Sequence, residues 1–242
     1  MERIFEMDGQ WNIIYYPSKP SGFSVLVIGD RTHYVNSSGA FWSTHPGRLQ
    51  IVHHLKTQGY TLYSSNLYGA NWGSPKASYL ALRLYHIIMK NEILNEKIHI
   101  LAEGMGALTA LKLIELLEER VRSAVFLNPL LSLRDCLRKE QQNKVFYKKW
   151  IQEAAFAYGM KAKEMEEMIL DTNSIEWRGT VPLRIIHIIG GGETASSLIY
   201  KMMEQTSLKN GVNFEIQYLM PEKRYKIASE ACGFFRKYEN TL

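Results

Sequence analysis

Short apolar runs alternate with longer amphipathic stretches along almost all of the 242-residue chain, and this alternation restricts the fold more than any other feature. Successive strands separated by helices must be joined by crossovers, so the expected architecture is α/β: three layers, a mostly parallel sheet between helices on both faces. Residues 23–28, 60–65, 97–101, 121–127, 183–189 and 214–219 are the candidate strands, of which 23–28 and 97–101 read as buried. Ile13-Ile14-Tyr15-Tyr16, stopped by Pro17, reads as an edge strand in a hairpin with residues 3–7. Pro46 introduces a helix that runs to about Gln58, where Gly59 ends it. Further helices are expected after Pro75, with Leu80, Leu84, Ile87 and Ile88 on one face, and over 105–119, 194–208 and 222–238. Residues 132–175 read as two or three helical pieces forming a small helical cap over the carboxyl edge of the sheet. The cap is placed as an insertion, 132–180, within one domain spanning 1–242.

Composition narrows the function classes. Hydrophobic residues at 46% and charged residues at 22% match an ordinary globular core. Cys136 and Cys232 are too few and too far apart for a disulfide framework or a zinc site. Neither a signal peptide nor a membrane span is read from the chain, so a cytoplasmic protein is expected. The net charge of +5 raises nucleic-acid binding, but lysines and arginines are interleaved with glutamates as on a solvated surface, and no nucleic-acid partner is expected. One stretch is concentrated: 134–149, with Arg138, Lys139, Lys144, Lys148 and Lys149, a charged surface helix or a contact for an acidic protein partner.

The sharpest local signal lies at residues 98–108, Ile-His-Ile-Leu-Ala-Glu-Gly-Met-Gly-Ala-Leu. A buried strand runs into a turn with small residues, Ala102 and Gly106, two positions either side of its apex, and a helix begins at once. This segment resembles the nucleophile elbow, G-x-S-x-G, of the α/β-hydrolase fold, the serine esterase and lipase family. Gly104 stands where that family has serine. Gly59-Tyr60 followed by residues 66–74, and Pro182 to His187 before the acid position, are similar to further family stretches. The resemblance implies strained backbone with φ above zero at the apex, which glycine adopts with little penalty. Glycine there keeps the turn and deletes the hydroxyl.

The other partners of the family's triad are also affected. The chain has His33, His45, His53, His54, His86, His99 and His187 and none later, whereas the resemblance places the catalytic histidine after the last strand. Arg224 or Tyr225 falls near that place, and neither shuttles a proton near neutral pH as imidazole does. Glu193 is the candidate for the acid. Gly29, Asp30, Arg31, Glu103, Gly104 and Met105 form the candidate pocket, with the Met105 N–H and one from the Asp30–Arg31 turn as an anion-friendly remnant of an oxyanion hole. Asp30 and Glu103 oppose an anion there unless Arg31 or a cation neutralises them.

Competing readings attach to several residues. Gly104-Met105-Gly106 is also compatible with a plain strand-to-helix glycine turn, though it lacks a third glycine for a dinucleotide. Gly190-Gly191-Gly192 lacks the Lys-Ser/Thr of a phosphate loop, and His53-His54 point about 100° apart on a helix, so no cofactor and no metal site is expected. Asp30 with His33 is a possible substitute pair, and Cys136 a remote thiol. Tyr34, Phe41, Trp42, Tyr68 and Trp72 fall in loops that would top the sheet. The expected function is a pseudo-hydrolase: a hydrolase-like fold without the Ser–His pair that binds a small, partly apolar molecule or a protein. The alternative is a hydrolase of a small ester, amide or lipid acting through displaced or water-activating residues.

Overall fold

The computed structural model describes residues 1–141, 144–172, 177–190 and 197–239. In chain order the strands are β1 (Glu2–Met7), β2 (Gln10–Tyr15), β3 (Ser24–Ile28), the two-residue β4 (Val35–Asn36) and β5 (Gly39–Ala40), β6 (Thr61–Ser65), β7 (Ile98–Glu103), β8 (Val121–Leu127), β9 (Leu183–Ile188) and β10 (Phe214–Leu219). Eight of them form one sheet in the order β1-β2-β6-β3-β7-β8-β9-β10, while β4 and β5 pair separately. The pairs β1–β2 and β2–β6 are antiparallel, and the rest of the large sheet is parallel.

The central strands are buried from end to end because both faces are covered. Leu26 and Ile28 of β3 join one apolar cluster, and Val25 and Val27 join the other, as the two-residue period of a strand requires. The first cluster is closed by α3 (Pro75–Asn91), α4 (Gly106–Leu117) and α8 (Ser197–Lys209); the second by α2 (Pro46–Thr57) and α9 (Ile227–Arg236), after the one-turn α1 (Phe41–Thr44). Three more helices, α5 (Leu133–Glu140), α6 (Lys144–Tyr158) and α7 (Ala162–Asp171), lie between β8 and β9. Leu137, Trp150, Ile151 and Met165 from these helices pack with Trp72, Met105 and Leu108. The inserted helices therefore rest where the chain leaves the carboxyl end of β7.

Two expectations shift. The segment 13–16 belongs to the second strand, not the edge. Ile13, Ile14 and Tyr15 are fully buried, Pro17 falls outside the strand and blocks no pairing, and the more exposed β1 takes the edge instead. The terminal helix starts at Ile227, after a 3-10 turn over Pro221–Lys226 opened by Pro221. Gly59 behaves as read: at φ +93 it follows α2, and the Tyr60 N–H returns to the Leu55 carbonyl at 3.1 Å.

Two packing details set the tightness of the frame. A Cβ on Gly106 would stand 2.5 Å from the Gly29 carbonyl oxygen and 2.6 Å from that of Ile28, so α4 approaches the end of β3 as closely as a glycine allows. At the opposite end of the sheet the buried His99 binds Ser123 through Nδ1 at 2.9 Å and lies 3.4 Å from Glu239 through Nε2. Tyr60 also donates to Glu239, and Arg122 donates to the Tyr238 carbonyl at 3.0 Å. Burial pushes the His99 imidazole below its ordinary value despite the raising pull of Glu239. Burial pushes the Glu239 carboxyl up, but the adjacent His99 ring and the Tyr60 hydroxyl outweigh it and hold the group low.

Gly106→Ala is expected to lower unfolding stability by about 1–3 kcal/mol in denaturant titration, because backbone carbonyls cannot swing aside. Glu239→Gln should lower stability at pH 7 by about 1–2 kcal/mol. A carboxyl held below its ordinary value contributes fully above that value and loses the contribution as pH falls through its lower folded value, so wild-type and variant stabilities should converge only at pH below the ordinary carboxylate range.

Candidate functional site

The site is built where β7 ends and α4 begins. Gly104 sits between them at φ +53, a conformation that favours glycine. Its N–H donates to the Leu127 carbonyl at 3.0 Å, and its own carbonyl accepts from the Leu130 N–H at 2.8 Å, so the turn is fastened to the exit of β8. Above the turn the decisive feature is a side chain from another loop. The carboxylate of Asp30, just beyond β3, occupies the space that a Cβ on residue 104 would need. Its Oδ1 accepts the Met105 N–H at 2.8 Å. That amide opens α4, where unpaired N–H groups and the helix dipole favour an anion. The anion is supplied by the protein itself.

The neighbouring groups are held as firmly. His33 Nδ1 accepts two N–H groups, from the Asp30 backbone at 2.9 Å and from Trp42 Nε1 at 3.1 Å. A ring nitrogen that accepts carries no proton, so the imidazole is neutral with its hydrogen on Nε2. Burial pushes its pKa down to about 4, and its ring stacks on Phe41 with centroids 4.0 Å apart. Asp30 thus meets His33 through its backbone, not through its carboxylate. Glu103 is buried and neutralised by both arms of the Arg48 guanidinium, with Nε at 2.9 Å from Oε2. Burial pushes the Glu103 carboxyl up, and Arg48 draws it back.

Arg31 turns away from both acids. It donates to Glu153 of α6 at 2.7 Å and lies over the Trp72 ring at 5.6 Å. Trp72 in turn donates to the other oxygen of Glu153 at 3.0 Å, and its backbone N–H meets the Met105 sulfur at 3.2 Å. This three-way clasp fixes α6 over the turn.

Gly29, Asp30, Arg31, Glu103, Gly104 and Met105 therefore do gather at one place, but the gathering is not an open anion pocket. The Met105 amide is already engaged, and Arg31 neutralises Glu153, leaving Glu103 to Arg48. Glu193 and the Gly191-Gly192 pair lie outside the described residues. Arg224 and Tyr225 fall in the exposed 3-10 turn before α9. Cys136 lies on α5, partly buried against the cluster of the inserted helices, and Cys232 is buried in α9. In the basic stretch, Arg138, Lys139, Lys144, Lys148 and Lys149 are exposed on α5 and α6. No helix among the described residues is long and apolar enough to cross a membrane.

Sequence reasoning missed Arg48 and Glu153. Arg48 follows Pro46 on an ordinary helix start and gives no signal. Glu153 gives a faint one, an acid three residues from buried Trp150 and next to buried Ala154 on the packed side of α6. It also missed where open space lies. A cavity of about 130 Å³ opens one to two turns along α4, against Leu108, Leu111 and Lys112, and is closed by residues 131–134, Tyr158 of α6 and Met168 of α7.

Neither a protein-family model nor a curated protein sequence matches the chain. Solved structures do match. Est1E from Butyrivibrio proteoclasticus is similar with a TM-score of 0.65 at 12% identity over 99% of both chains. A sugar hydrolase from Lactococcus lactis has a TM-score of 0.63 at 13% identity over 98% of both. An S-formylglutathione hydrolase from Agrobacterium tumefaciens has a TM-score of 0.60 at 11% identity, covering 98% of this chain and 94% of that one. Together with the strand order and the turn at Gly104, these likenesses establish that the chain has the α/β-hydrolase fold.

Proposed function

We propose that this chain is a non-catalytic protein of hydrolase fold that works by binding a small, partly apolar molecule. The observation that carries the reading is the Asp30 carboxylate, which fills the place of a nucleophile's side chain and takes the Met105 N–H. In acyl transfer such an amide must be open to the oxygen on which negative charge develops. Here a resident carboxylate holds it, so an incoming oxyanion would meet a like charge. Residue 104 carries no hydroxyl, and no histidine follows His187 in the sequence.

The solved neighbours include hydrolases, which gives the rival reading its weight. That reading requires Asp30 and His33 to activate water together. Their geometry speaks against it: the His33 lone pair at Nδ1 is spent on two N–H donors, and a pKa near 4 makes the ring a poor base.

The purified protein is expected to leave a fluorophosphonate probe unreacted and to hydrolyse p-nitrophenyl acetate, butyrate and octanoate no faster than its Asp30→Ala and His33→Ala variants. Turnover that falls at least tenfold in either variant would overturn the proposal in favour of the rival. Asp30→Ala removes the internal anion and should cost about 1–2 kcal/mol of stability, comparable to losing a helix cap. Acetate should restore part of the loss in the variant, through binding to the vacated amide, and leave the wild type unaffected. An equal response of the two proteins to acetate would show that the Met105 amide is not the site in question.

A further inference from the structure

The large sheet ends in β1 on one side and in β10 on the other. An edge strand offers backbone groups to another chain unless charged side chains, prolines or bulges guard it. β1 is guarded: Glu2, Arg3 and Glu6 put charges on half of its residues. β10 is not. Phe-Glu-Ile-Gln-Tyr-Leu pairs with β9 in unbroken parallel register, without a proline or a bulge. Its one charged residue, Glu215, is neutralised within the chain by Arg184 and by Lys237, the latter at 2.9 Å. The Asn213 and Leu219 carbonyls accept from the Leu183 and Ile189 N–H groups at 3.0 and 2.8 Å, so odd-numbered residues turn their backbone groups toward β9. Phe214, Ile216 and Tyr218 turn theirs outward, and among the described residues these donors and acceptors have no backbone partner. Tyr218 is 55% exposed on this rim. Beside it the side-chain oxygen of Gln217 is buried without a hydrogen bond from any described residue.

We infer that β10 docks a second copy of this chain, which adds its own β10 antiparallel about a twofold axis at Ile216. In that register Ile216 faces the partner's Ile216, and Phe214 and Tyr218 face the partner's Tyr218 and Phe214. All the outward N–H and carbonyl groups of the two strands then bond to one another. The side chains are self-complementary as well. Apolar and aromatic pairs line the face toward α8, and on the other face Glu215 lies opposite the partner's Gln217. A twofold axis at Glu215 would instead set two carboxylates against each other. The register also answers the orphaned oxygen of Gln217. Opposite it stands the partner's Glu215 with the partner's Lys237, whose half-exposed ammonium has three donors and gives one to Glu215. An axis that reverses an edge strand stands normal to the sheet, so both copies of α8 come side by side on the same face. α8 rests on β9 and β10 through Ile199 and Met203, which puts it near that edge. An extended segment of another protein would satisfy the outward backbone groups equally, but it brings neither Lys237 nor α8. The second copy fits the edge on all of these counts.

Sedimentation velocity of the full chain over a series of concentrations, with backbone hydrogen exchange followed by NMR, tests this. A reversible dimer is expected. Exchange of the Phe214, Ile216 and Tyr218 amides should slow at least tenfold as the dimer fills, while Glu215 and Gln217, bonded to β9, keep one rate throughout. Ile216→Pro deletes the central outward N–H and leaves the bonds to β9 in place. Tyr218→Lys puts a charge on an exposed position of the edge and spares the backbone. Each should weaken dimerisation at least tenfold, whereas Glu6→Lys on the opposite edge should leave it unchanged. Thermal melts check that the variants fold, and Tyr218→Lys carries the test if the proline variant does not. A monomer at every concentration would overturn the inference. So would a dimer indifferent to the β10 substitutions, one weakened equally by Glu6→Lys, or one in which the outward amides of β10 still exchange freely.

Discussion

A single charged hydrogen bond organises the end of the sheet where the candidate site lies: the Asp30 carboxylate on the Met105 N–H. It joins the loop after β3 to the first amide of α4 across the turn at Gly104. A helix N-terminus carries donors without intrahelical partners, and a carboxylate is their natural complement. Because the carboxylate lies over residue 104, that position has to be glycine on two independent grounds, its φ of +53 and the occupied space beside its Cα. Gly106, pressed against the carbonyls of Ile28 and Gly29, brings the same two segments together one residue further on. The corner is a packed structural joint.

The charges around it obey the same economy. A buried carboxylate is costly unless paired, and Glu103 is paired in bidentate fashion with Arg48. Glu153 descends from α6 to satisfy Arg31 and the Trp72 indole together. These contacts settle the inserted helices on Met105 and Leu108, while Gly104 and Asp30 stay half-buried. Space opens instead further along α4, where Leu108, Leu111 and Lys112 face Met168 and Tyr158. The opening beside α4 follows from how α6 and α7 seat.

The layers of the fold were legible because they follow from local rules. Buried strands two-sided in their apolar residues, prolines at helix starts and the glycine after α2 each declared themselves in the sequence, as did the small residues around position 104. Position of a strand within the sheet did not. Ile13 to Tyr15 carry no mark that distinguishes an edge from an inner partner, because pairing with β6 depends on residues 50 positions away. The residues that gather around the turn at Gly104 are readable from the elbow-like segment, but the partners of their side chains are not. Asp30 was counted as repelling an anion, whereas it serves as the anion. Arg31 is one of two candidates in the sequence, with a cation, to neutralise Asp30 and Glu103, and long-range geometry gives it to Glu153. Lys112 and Arg134 lie on separate elements, and only the seating of α4 beside α5 puts both on one cavity wall.

A double-mutant cycle between residues 104 and 30 tests the central contact most directly. Gly104→Ser, measured by denaturant unfolding, should destabilise the wild-type protein strongly, since the new side chain and the Asp30 carboxylate contend for one space. In an Asp30→Gly background the same substitution should cost markedly less, with a coupling of about 1 kcal/mol or more. Equal costs in the two backgrounds would contradict the account, because they would mean that the carboxylate does not occupy the place above Gly104.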